Sequence, residues 1–100
     1  MDDTDILRTA EMLGYVCELS DPDGYDFDEY GLEKVIKIGG VRVNVAMKID
    51  LFAKTCSDVT VSYKYRKSKA EKIRAAIDGC SKAIERDLAA FRGEGYTVKA

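Results

Sequence analysis

Residues 35–51 read VIKIGGVRVNVAMKIDL and contain two alternating runs of apolar and polar residues on either side of a glycine pair. A two-residue hairpin turn needs a positive φ at both central positions, which glycine adopts at little cost. Gly39 and Gly40 therefore predict a tight turn between two antiparallel strands.

The run after the turn has a strict period of two. From Val41 to Leu51 every odd position is apolar, whereas the even positions are Arg42, Asn44, Ala46, Lys48 and Asp50. This alternation predicts a strand with one buried and one solvated face. The pattern returns in a third strand with apolar Val59, Val61, Tyr63 and Tyr65, and residues 52–57 between the strands are predicted to form a loop that carries an unreactive thiol, Cys56.

The register of the hairpin follows from its turn. With Gly39 and Gly40 at the centre, Ile38 lies opposite Val41 and Lys37 lies opposite Arg42, so apolar and polar pairs separate. The solvated face then carries a set of cations that only Asp50 opposes: Lys37, Arg42, Lys48, Lys64 and Arg66. The same register places Val35 on the solvated face and Lys34 on the buried one, so we expect a bulge or an early strand end near Lys34.

Two helices flank the strands. The first is predicted over residues 4–13, with Asp3 or Thr4 as its N-cap and Gly14 as its stop. The second begins after Ser68 and ends at Gly93. Its predicted buried stripe consists of Ala70, Ile73, Ile77, Cys80, Ile84, Leu88 and Phe91.

These elements predict an α+β fold in a single domain over residues 1–100. We expect a three-stranded antiparallel β-sheet with two helices packed on one face, in the order α-β-β-β-α. A short strand at residues 15–19, or the tail after Gly93, is expected to extend one edge to a fourth strand.

Charge is distributed unevenly along the chain. The 16 basic and 18 acidic residues give a net charge of −2, but residues 1–31 hold ten acids and one base and carry −9, so the remainder carries +7. Opposed segments of this size indicate interaction surfaces or attraction within the fold.

An acidic and aromatic segment follows the predicted turn at residues 21–24. Its partner-binding candidates are Asp23, Tyr25, Asp26, Phe27, Asp28, Glu29 and Tyr30. The spacing of the acids is not that of an EF-hand, so no metal is expected. The aromatic residues either tuck into the edge of the core or anchor a partner, and the alternation of acid and aromatic also suits a mimic of nucleic-acid phosphates.

The basic candidates lie on the strands and at the start of the last helix. They are Lys37, Arg42, Lys48, Lys64, Arg66, Lys67 and Lys69. Three interpretations remain open for them: a solvated face, a contact with an acidic protein or with nucleic-acid phosphates, and self-association into a homodimer.

The element order and the basic run at residues 66–72 resemble a double-stranded-RNA-binding domain. In that family the basic start of the second helix meets phosphates across a groove. The likeness covers residues 58–80 at the level of motif, while Gly39-Gly40 leaves no long loop to probe a minor groove. We therefore assign no family from the sequence.

No catalytic signature is present in the sequence. There is no histidine, and Cys17, Cys56 and Cys80 form no Cys-x-x-Cys motif, so we expect no enzyme, cofactor or metal site.

The acidic start and the short apolar runs predict a cytoplasmic protein without a membrane partner. The expected function is a non-enzymatic inhibitor, adaptor or regulator of a larger protein or nucleoprotein complex, of the kind that viruses of bacteria and mobile elements encode. The alternative is a nucleic-acid-binding domain that uses the basic sheet face and helix start.

Overall fold

The computed structural model describes residues 5–20, 28–64 and 70–99, which form two helices and one five-stranded sheet. The elements are α1 (Asp5–Met12), β1 (Val16–Leu19), β2 (Glu29–Ile38), β3 (Val41–Asp50), β4 (Thr55–Lys64), α2 (Ala70–Gly93) and β5 (Thr97–Val98). The predicted caps Asp3, Thr4 and Ser68, the turn at 21–24 and Tyr65 lie outside the described residues.

The hairpin of β2 and β3 is confirmed. Ile38 pairs with Val41 and Lys37 with Arg42. Gly39 and Gly40 have φ values of 55° and 83°, the left-handed conformation that the two-residue turn requires.

Neither the bulge nor the early strand end expected near Lys34 is present. The pairing of β2 with β3 is continuous from Glu29–Asp50 to Ile38–Val41, and Lys34 lies directly opposite the buried Val45. Lys34 therefore points toward the core, and Val35 is exposed on the other face. The expectation was wrong because it treated a charged residue among apolar ones as a break in the strand.

The predicted loop at residues 52–57 is shorter in the structure. Asp50 Oδ1 accepts hydrogen bonds of 2.9 Å from the N–H groups of Phe52 and Ala53, which closes a tight turn. Strand β4 then begins at Thr55, so Cys56 is a buried strand residue and not a loop thiol. A bulge at Asp58, which has a φ of 55°, restores the alternation that the early start would invert.

The sheet has more strands than predicted and is not wholly antiparallel. Its order is β1-β2-β3-β4-β5, with β5 parallel to β4 and the other neighbours antiparallel. Strand β1 has four residues and strand β5 has two. Such short segments hold too few residues for an apolar–polar alternation to predict both strands from the sequence. The parallel pair follows from topology, because α2 carries the chain back to the starting end of β4.

The core lies between the helices and one face of the sheet, which we call the inner face. Helix α2 buries residues at spacings of three and four: Ala76, Cys80, Ile84, Asp87 and Phe91. Ala70, which the predicted stripe included, is exposed. Among the described residues, neither helix combines the length and apolar character that a membrane crossing requires.

Candidate functional site

The side of the sheet opposite the helices, which we call the outer face, is the broadest candidate surface. No described helix lies over it. Small residues at its centre, such as Gly31 and Ala46, leave two adjoining grooves of about 540 and 750 Å³ that share Val16 and Thr60 in their walls. The outer face is therefore grooved at its centre, which suits contact with a protruding part of a partner.

One end of the outer face carries a row of three cations. Lys37 pairs with Arg42, and Arg42 pairs with Lys64, so the three residues lie side by side across β2, β3 and β4. All three are exposed, and no ion pair joins any of them to a described residue. Like charges directly opposite each other destabilise a sheet unless an anion lies nearby. We call these three residues the basic row.

The fourth predicted cation of the sheet does not join this row. Lys48 lies six residues further along β3, where its Nζ is 3.5 Å from Glu29 Oε1 and 3.8 Å from Asp58 Oδ2. Asp50 lies on the same face and pairs with Glu29. The outer face is therefore bipolar, with a basic row at one end and an acidic end around Lys48. Arg66, Lys67 and Lys69 lie outside the described residues.

The acidic and aromatic segment is divided by the fold. Tyr30 is half-buried and packs against the core, while Glu29 begins β2 on the outer face. Asp28 is exposed, and its carbonyl accepts a hydrogen bond of 2.8 Å from the N–H of Leu51. Asp23, Tyr25, Asp26 and Phe27 lie outside the described residues. Of the two alternatives for the aromatic side chains, Tyr30 takes the core position.

A buried polar cluster that the sequence analysis missed lies on the inner face. The Tyr15 hydroxyl and the Lys34 ammonium each donate a hydrogen bond of 2.8 Å to Asp87 Oδ2. The Lys34 nitrogen also lies 4.8 Å from the centroid of the Tyr15 ring, within the range of a cation–π contact. The cluster joins the segment before β1, strand β2 and helix α2.

The chemistry of this cluster favours structure over catalysis. Burial, the hydrogen bond to Asp87 and the charge of Asp87 all raise the pKa of the Tyr15 phenol. The phenol therefore keeps its proton and cannot serve as a base at neutral pH. Asp87 Oδ1 is buried and has no hydrogen-bond partner among the described residues, so the cluster is not fully satisfied.

A signal for this cluster is present in the sequence. Asp87 stands at the helical spacing of the buried stripe, three residues after Ile84 and four before Phe91. Lys34 stands at the buried parity of β2. A lone acid on one apolar face and a lone base on the facing one indicate a buried pair.

The three cysteines are free thiols with raised pKa values. Burial raises the pKa of Cys56 from 9.0 to about 11, against a smaller opposing effect of Arg92. Burial is also the largest cause of the raised pKa values of Cys17 and Cys80. Protonated thiols are poor nucleophiles, so none of the three is set up for covalent catalysis near neutral pH.

We expect the free energy of unfolding to fall as the pH rises through 9 toward 11. In the unfolded chain the thiols ionise near 9, whereas folded Cys56 holds its proton to about 11. Each group that ionises only in the unfolded chain lowers stability by about 1.4 kcal/mol per pH unit. Denaturant titrations across this window measure the slope, and Cys56→Ala should make it shallower. An unchanged slope in that variant would contradict the assignment.

No protein-family model, curated protein or solved structure matches the chain.

Proposed function

We propose that the chain is a non-enzymatic binding protein, a small inhibitor, adaptor or regulator that holds a larger protein on the outer face of its sheet. The observation that carries the proposal is the basic row. Lys37, Arg42 and Lys64 lie side by side at the cost of mutual repulsion, with no ion pair to a described residue. A partner that places carboxylates against the row would remove the repulsion.

The bipolar character of the outer face favours a protein over nucleic acid. Adjacent strands are about 4.8 Å apart, so the basic row spans only about 10 Å across the sheet. A nucleic acid extending along β3 would carry its phosphates from the basic row into Glu29, Asp50 and Asp58. A protein surface of mixed charge meets both ends without repulsion.

Reversing two charges of the basic row is the test of this proposal. We expect Lys37→Glu with Arg42→Glu to weaken the binding of a glutamate-rich peptide by about tenfold or more, because attraction becomes repulsion. Fluorescence anisotropy at two salt concentrations measures the affinity. Lys72→Glu with Lys82→Glu is the matched control, since it changes the net charge equally at exposed positions of α2 and should bind like wild type.

The same titration separates the two functional classes. Duplex RNA, duplex DNA and single strands that bind more tightly than the peptide, with a steep loss of affinity in salt, would favour the nucleic-acid alternative. If the two double variants bind the peptide with equal affinity, the basic row does not contact the peptide. Affinity capture from the native host with the same two variants then identifies the partner as the protein lost only with Lys37→Glu and Arg42→Glu.

A further inference from the structure

Within the described part of the chain, most of one edge of strand β4 has no strand beside it. Strand β5 pairs only with Thr55 and Cys56, and its last backbone contact is the N–H of Lys99 to the carbonyl of Cys56. Beyond that point no described strand lies on the side of β4 that faces away from β3. An open edge of this kind is a template for pairing with another strand.

The open edge is chemically self-complementary. Residues 58–64 read DVTVSYK, and reversing the direction about Val61 sets unlike charges, hydroxyls and apolar side chains opposite each other. In an antiparallel pair of two such strands, Asp58 faces Lys64, Val59 faces Tyr63, Thr60 faces Ser62, and Val61 faces its own copy. Opposite charges, hydroxyl pairs and aromatic with β-branched pairs are the combinations that stabilise neighbouring strands.

The two faces of β4 keep this pairing consistent. Asp58, Thr60, Ser62 and Lys64 are exposed on the outer face, and Val59, Val61 and Tyr63 are half-buried on the inner face. A two-fold axis perpendicular to the sheet through Val61 keeps each face continuous across the pair. The three inner side chains then gain the cover that an edge strand lacks.

The register is restricted by the same residues. Moving the axis by one residue to Thr60 sets Asp58 opposite Ser62, and moving it to Ser62 sets Lys64 opposite Thr60. Within the described residues 58–64, either shift loses both ion pairs between Asp58 and Lys64. The positive φ of Asp58 marks one end of the regular edge, so the described pairing segment, residues 58–64, is about 23 Å long.

We propose that two copies of this chain pair through residues 58–64 of β4 and join their sheets into one continuous sheet. The contact lies at an edge and uses Asp58 and Lys64 at the margin of the outer face, so it goes beyond the proposed partner binding and does not depend on it. Lys64 then contacts Asp58 of the second copy, whose carboxylate also lies 3.8 Å from its own Lys48 Nζ, while Lys37 and Arg42 remain available to another partner.

Charge reversal at the two ends of the segment tests the pairing. We expect Asp58→Lys and Lys64→Asp to weaken the wild-type dimer by about tenfold or more each, because two attractive pairs become repulsive. An equimolar mixture of these two variants should form a heterodimer, since each lysine again faces an aspartate. The double variant Asp58→Lys with Lys64→Asp should recover the homodimer. Sedimentation velocity over a concentration series measures wild type, the two single variants, their mixture and the double variant, and recovery in the mixture shows that both variant chains fold.

A cross-linking measurement tests the register without altering any charge. Thr60→Cys mixed with Ser62→Cys should give a disulfide-linked dimer under mild oxidation, whereas each variant alone and wild type should not. A wild-type chain that stays monomeric up to about 1 mM would overturn the proposal and leave the edge to a strand of another protein. A mixture of charge variants that shows no recovery would overturn it as well.

Discussion

Asp87→Ala is expected to lower the free energy of unfolding by about 3 kcal/mol, because it leaves the ammonium of Lys34 inside the fold without its counter-ion. The substitution also removes the acceptor of the Tyr15 hydroxyl, which is 2.8 Å from Asp87 Oδ2. The Lys34 side chain is 15% exposed, whereas that of Asp87 is 1% exposed. The expected cost therefore stands at the lower end of the range for a broken buried pair, since the ammonium can still reach some water.

The matched control is another aspartate on the same helix. Asp78 is exposed on α2 and forms no ion pair with any described residue, so Asp78→Ala should change stability by less than about 0.5 kcal/mol. Urea unfolding of both variants gives the comparison. A loss of similar size in the two variants would mean that the buried cluster contributes nothing beyond helix composition.

An apolar replacement of the whole cluster should behave differently from the single change. Tyr15→Phe with Lys34→Met and Asp87→Leu removes every charge and hydroxyl together, and it also removes Asp87 Oδ1, which has no partner among the described residues. We expect the triple variant to unfold within about 1 kcal/mol of wild type, or above it, because no buried polar group is left unpaired. A triple variant as unstable as Asp87→Ala would show that the shape of the cluster matters more than its charges.

The hairpin and the basic row could be predicted from the sequence because both depend on local rules. The Gly39-Gly40 pair sets the turn, the period of two sets the faces, and the turn sets the register that places Lys37 opposite Arg42. Lys64 joins the row because β4 keeps the same alternation after its bulge. Each step needs only residues that are near in sequence or adjacent in the sheet.

The buried cluster and the parallel strand could not be predicted in the same way. Lys34 and Asp87 are 53 residues apart, and each looks like an error in an apolar pattern until the two faces are docked. Strand β5 has two residues, and its place beside β4 depends on where a 24-residue helix delivers the chain. Such features arise from tertiary packing, which overrides local pattern.

The second large effect is expected at Phe91, whose ring packs near that of Tyr15 in the buried cluster. Its side chain is 0% exposed, and its ring centroid lies 6.1 Å from that of Tyr15. Phe91→Ala should lower the free energy of unfolding by about 3–5 kcal/mol, because it loses the burial of the ring and leaves a cavity in the core.

Phe52 provides the matched deletion at an exposed site. It stands in the turn between β3 and β4 and is 85% exposed, so Phe52→Ala removes the same atoms without opening a cavity. Its expected effect is below about 0.5 kcal/mol. Thermal and urea unfolding of the two variants therefore distinguish the effect of losing a buried ring from the effect of deleting the same atoms at an exposed site. If Phe91→Ala lowers the free energy of unfolding no more than Phe52→Ala does, α2 does not pack on the sheet through Phe91. The buried position of Asp87, one helical turn earlier on α2, would then be contradicted as well.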